Sequence, residues 1–173
     1  IPTTAINAGI FSTLVAALSA TGLVGAVSEP AGPFTVFAPN DDAFNALPDG
    51  LVSCLLEEKN LPVLSDILSY HVASGTALST DLSNGQQIST LLDGVKVTVD
   101  LNNGVMINDS TVVGADVLAS NGVIHIINSV LVPSNIDLGV YLNTCTTESE
   151  DYEYEVVEVT GDDDDDDDDN NLP

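Results

Sequence analysis

The chain has 173 residues, 27 of them acidic against two lysines and no arginine, for a formal net charge of −25, and 44% of it is hydrophobic. That size suits one domain with a substantial core. The charge excludes nucleic acid as a partner, because phosphate contacts need a basic surface, and no apolar run approaches the roughly 18 residues a membrane-spanning helix requires.

Residues 6–23 place Ile6, Ile10, Phe11, Leu14, Val15 and Leu18 at helical intervals with Gly22 at the expected stop, which predicts one amphipathic helix. Residues 34–39 have strand composition. Asn40 then offers an N-cap, with Asp41 and Asp42 placed in the favourable first turn of a short helix. Two further short helices are expected over 51–56 and 61–68, separated by Asn60 and Pro62.

From Tyr70 the pattern changes to short strands: 95–99, 105–107, 111–113, 123–127 and 130–132, with turn chemistry at Asn102, Asn103, Gly104 and again at Asn121, Gly122. The apolar run 123–127, broken only by His125, predicts burial on both faces. Helices followed by a meander of strands make an α+β domain in which the helices cover part of a sheet or sandwich.

The last 26 residues are different. From Glu148 onward there are 14 acids and no base, leaving 13 acids against two lysines in the remainder. Within this tail Tyr152, Tyr154, Val156, Val157 and Val159 are interleaved with glutamates as in an edge strand, and the alternation slips once at Val156 and Val157, where a bulge would accommodate it. Such a strand could return to its own domain or add to the sheet of a neighbouring copy, and repetition without closure would build a filament. Asp162, Asp163, Asp164, Asp165, Asp166, Asp167, Asp168 and Asp169 form an uninterrupted run, and Ca²⁺ is the cation such oxygens would collect.

Candidate sites elsewhere are few. Cys54 and Cys145, lacking further ligands at metal spacing, suit a disulfide better than a metal site; joined, they would close a loop worth roughly 4 to 5 kcal/mol on the chain-entropy model. Asn108, Asp109 and Ser110 form an N-glycosylation acceptor beside a predicted turn. His71 and His125 are better read as hydrogen-bonded structural residues than as a metal pair. Two histidines, no arginine and no nucleophile elbow leave little for catalysis, so no enzymatic activity and no required cofactor are expected. The chain opens on Ile1 with no basic or apolar leader before the first predicted helix, which reads as a processed secreted protein.

Three segments together resemble the fasciclin domain family: 34–44 (FTVFAPNDDAF) is similar to its first signature box, 68–72 (LSYHV) to its Tyr-His motif, and 121–131 (NGVIHIINSVL) to its second box, with FSTLVAAL at 11–18 in the expected first helix. The resemblance covers about 1–133. It implies a β-sandwich or wedge with flanking N-terminal helices, in proteins of cell surfaces and extracellular matrices that mediate adhesion, and it makes Tyr70 and His71 candidate adhesion residues. The expected organisation is a domain over 1–138, a linker over 139–150 and an acidic tail over 151–173. The expected partners are copies of the chain itself, extracellular glycans or cell-surface receptors. The alternative is a calcium-binding or mineral-associated matrix protein acting through its aspartate run.

Overall fold

A computed structural model describes residues 1–28 and 31–147. The N-terminal apolar stretch forms two helices rather than one: α1 (Pro2–Ala8) ends where Gly9 turns left-handed at φ 71°, and α2 (Ser12–Ala20) starts anew. The cause of the restart lies far along the chain. The Asp41 carboxylate accepts hydrogen bonds from the Ser12 amide (3.2 Å), the Ser12 hydroxyl (2.7 Å) and the Thr13 amide (2.9 Å), and so caps α2 from 29 residues away. Asp41, expected to serve only its own helix, thus serves two. Asn40 caps α3 (Asp41–Asn45) by accepting from the Ala43 amide at 2.9 Å. Two more helices, α4 (Leu51–Leu55) and α5 (Leu61–Tyr70), complete the layer, the second with a proline in its first turn where no intrahelical donor is needed.

Seven strands follow the order β2 (Val72–Ser74), β1 (Phe34–Pro39), β7 (Gly122–Ile127), β6 (Ser110–Ala119), β5 (Met106–Ile107), β4 (Lys96–Asp100), β3 (Gln87–Ser89) across one sheet. The β1–β7 pair is parallel and its neighbours are antiparallel. A bridge between Ala73 and Thr90, with the Leu91 amide donating to the Val72 carbonyl at 2.7 Å, brings the two outer strands together and curls the sheet into a wedge.

The central pair is covered on both sides, as the apolar run 123–127 predicts. Val36, Ala38 and Ile124 face the helices and pack with Leu14, Leu18, Ile67 and Leu68. Phe37 and Ile127 face the wedge interior with Val97, Val99 and Ile107. The two strands approach closely at Gly122, where a β-carbon would lie 2.0 Å from the Phe34 carbonyl oxygen.

Three expectations change. Residues 130–132 are not a strand; the Leu131 amide is bonded to a side chain instead, as described below. Strand β6 runs on past 113 to Ala119 because two register shifts against β7 absorb its irregular apolar spacing, with Asp116 at φ 57° in the second. Over 139–147 the stretch read as linker is helical: α6 (Leu138–Thr147) lays Leu138, Tyr141 and Leu142 against the core, and the Cys54–Cys145 disulfide fastens it to α4. Leu138, Tyr141, Leu142 and Cys145 stand at i, i+3, i+4 and i+7, a helical spacing that the reading as linker did not use.

Candidate adhesion site at the end of helix α5

The C-terminus of α5 sends adjacent side chains into opposite layers. Tyr70 enters the wedge, 4% exposed; its hydroxyl donates to the Lys96 carbonyl at 3.2 Å and accepts from the Asn108 side-chain amide at 2.9 Å. His71, 2% exposed, lies between the wedge and the helices. Its ring spans two backbone groups: Nδ1 donates to the Ile67 carbonyl at 2.7 Å, and Nε2 accepts from the Leu131 amide at 2.9 Å. That arrangement fixes the neutral Nδ1–H tautomer.

Two small apolar cavities abut the His71 ring, and neither lining includes a carboxylate. Burial therefore pushes the His71 pKa down to about 4, against the opposing effect of the Ile67 carbonyl. The consequence is structural. A neutral His71 holds the segment after β7 in place, and that segment forms one wall of an open polar cleft lined by Tyr70, Asn108, Asp109, Ser129, Leu131 and Ser134.

Asn108 and Ser110, the ends of the candidate acceptor tripeptide, both hold this cleft. Asn108 sits at φ 51°, donates to Tyr70 and accepts from the Thr98 amide at 2.9 Å. Ser110 is buried and exchanges hydrogen bonds with the Ser129 backbone at 3.0 and 3.1 Å.

His125 is built the opposite way round. Fully buried and stacked on Phe37 with ring centroids 5.8 Å apart, it donates from Nε2 to the Ala77 carbonyl at 2.7 Å and takes a long bond from the Asp116 amide at Nδ1, 3.4 Å. The two histidines thus serve separate structural links. Among the described residues no group of three or more His, Cys, Asp or Glu side chains is placed to hold a metal ion.

Sequence reasoning missed Asp116. The Ser79 hydroxyl and amide bond its carboxylate, the amide at 2.7 Å, and these bonds hold its pKa below the usual carboxylate range, with a smaller contribution from His125. A positive φ at a residue other than glycine gives no signal in sequence, although aspartate tolerates it better than most.

The disulfide joins Cα atoms 5.8 Å apart, and the Asn60 side-chain amide donates to the Cys54 carbonyl beside it at 2.8 Å. The candidate strand residues Tyr152, Tyr154, Val156, Val157 and Val159, and the run Asp162 to Asp169, lie outside the described residues.

A curled seven-stranded wedge with helices on one face, closed by a buried Tyr-His pair, is the architecture of an α+β domain whose named motifs hold its own structure together. The family model for the Fasciclin domain matches residues 9–133, and the chain belongs to that family. Protein sll1483 of Synechocystis sp. is 49% identical over 124 residues, covering 71% of this chain and 67% of that protein. The transforming growth factor-beta-induced protein ig-h3 of Sus scrofa is 40% identical over 124 residues, 71% of this chain but 18% of that much longer protein. The cell surface glycolipoprotein MPB83 of Mycobacterium bovis is 33% identical over 139 residues, 77% of this chain and 60% of that one. Helix α6 and the tail follow the matched region. No helix among the described residues is long and apolar enough to cross a membrane.

Proposed function

We propose that this chain is a non-enzymatic structural module of an extracellular matrix or cell surface, which joins copies of itself head to tail through the strand-like segment 152–159 and meets glycans or receptors at the cleft beside Tyr70. The observation that carries this reading is a division of labour. The described residues complete two hydrophobic cores and leave no buried side-chain nitrogen or oxygen without a partner, so the packing is finished before the 26-residue acidic tail begins. Membership of the fasciclin family and similarity to a protein named for the cell surface support the location. Both histidines are consumed in structural hydrogen bonds, which supports a binding rather than a catalytic role.

The motif residues are buried, so contact at this site is made by the cleft rim, chiefly Asp109, Ser129 and Ser134, which Tyr70 and His71 hold in place. Attachment of cells, or retention of a glycan library, on the immobilised chain tests this. Ser134→Arg should reduce attachment without altering stability; equal attachment to the chain and to an inert acidic protein would remove the reading.

The aspartate run favours a second role in collecting calcium. Titration calorimetry should then find several ions bound per chain, lost when Asp162 to Asp169 are replaced by asparagine.

A further inference from the structure

Among the described residues, the outer margin of β6 is a place where a strand can be added. Strand β5 pairs with β6 only at Ser110 and Thr111, and the Val112 amide still reaches the Val105 carbonyl. Beyond it, β6 pairs with β7 on one side, and among the described residues no strand pairs with its other side from Val113 to Ala119. This margin carries exposed side chains, Val113 at 57% and Leu118 at 71%, with Ala115 and Ser120 also exposed. An open edge with apolar side chains is the feature that strand addition exploits.

The exposed positions on this margin are 113, 115, 118 and 120: steps of two, three and two, with the extra residue at Asp116, where the chain turns through φ 57° and is held by Ser79. In the tail, Tyr152, Tyr154, Val157 and Val159 also stand at steps of two, three and two, with Val156 as the extra residue. Two strands that both slip phase at their midpoint can pair along their whole length, whereas a regular strand would lose register at the slip.

We propose that the outer margin of β6 receives residues 152–159 of a second copy as an antiparallel eighth strand. In this register Val113 meets Val159, Ala115 meets Val157, Asp116 meets Val156, Leu118 meets Tyr154 and Ser120 meets Tyr152. The two slips coincide, and Glu153, Glu155 and Glu158 fall opposite Ala119, Val117 and Gly114, so none faces Asp116. The partner is this same chain, and the assignment rests on the self-association reading above while naming the surface it uses. Each copy carries a net charge of −25, so association strengthens with ionic strength as long-range repulsion is screened.

The test uses the full-length chain. Sedimentation velocity across a range of protein concentrations, at low and at moderate salt, is combined with amide hydrogen exchange of residues 113–120. The expected result is concentration-dependent association that grows with salt, at least tenfold slower exchange over 113–120 in the associated form, and loss of both in Leu118→Glu and in Val157→Glu. Both substitutions lie outside the cores described above, and an unchanged thermal transition would confirm that each variant folds. Association that persists in Leu118→Glu with unchanged exchange at 113–120 would overturn the β6 assignment and leave self-association standing. Protection of 113–120 independent of concentration would mean that the tail covers its own β6, which overturns the second-copy proposal. Absence of association under every condition would remove both.

Discussion

The two faces of the β1–β7 pair are both covered and are held by different forces, the wedge face fully buried and the helix face leaving Phe34 and Ile126 half-buried. The helix-covered face is aliphatic: Val36, Ala38 and Ile124 meet Leu14, Leu18 and Leu68, and the polar insertion among them is the His71 ring. The wedge face contains a hydrogen-bonded frame as well as apolar residues. The Thr35 hydroxyl donates to the Gly75 carbonyl and accepts from the Ala77 amide, both at 2.8 Å, and His125 donates to the Ala77 carbonyl from the neighbouring strand. Apolar packing is forgiving of sequence, provided volume is kept, whereas buried polar frames tolerate no missing partner. The helix face accepts an added helix, α6, through apolar contacts, while the cleft draws on both faces, on Tyr70 from the wedge side and on His71 from the helix side.

The largest disruption would strike both faces together. Gly122→Val places a side chain against the Phe34 backbone, where a β-carbon would sit 2.0 Å from the carbonyl oxygen, so β1 and β7 must separate. A loss of about 4 kcal/mol or more, read as a collapsed urea midpoint or failure to fold, is expected. Cutting the disulfide loosens the helix face alone. Cys54→Ser with Cys145→Ser frees a loop of 91 residues and should remove about 4 kcal/mol. Reducing agent should give the same shift in urea denaturation, with hydrogen exchange faster over α6 and α4 and unchanged over β4 and β5.

Acid also probes the helix face, through His71. Its folded pKa of about 4 lies below the ordinary value of 6.5, so between those values the unfolded chain binds a proton that the folded chain excludes. Stability is therefore full above pH 6.5 and declines as pH falls toward 4, by about 3 kcal/mol for a difference of some 2.5 units. His71→Gln should flatten this part of the profile, and the difference between the two curves separates His71 from the carboxylates. The smallest effect is at the surface: Asp41→Ala removes the cap of α2 and should lower stability by about 1 kcal/mol, with faster exchange at Ser12 and Thr13.

The central strands, the short helices after Asn40 and the family were legible in the sequence because their signals are local: strand composition over 34–39, a cap at Asn40, and motifs whose order survives without a structure. What escaped depends on contacts between distant segments. The break between α1 and α2 needs Asp41, and the irregular run of β6 needs β7 to pair against, whereas α6 carries a local signal at 138, 141, 142 and 145. At the candidate site the sequence pointed to Tyr70 and His71. It could not say that their polar atoms are spent on Lys96, Asn108 and Leu131, which lie 26, 38 and 60 residues along the chain; Ile67, one turn back in α5, is the local partner.

The account rests on the tail of one copy meeting the sheet of another. A photo-activated cross-linker placed at position 157 of an isotope-labelled chain, mixed with unlabelled chain and analysed by mass spectrometry, tests this directly. Cross-links from labelled 157 to unlabelled peptides spanning 113–120 are the predicted result, and cross-links confined to peptides bearing the same label would contradict it.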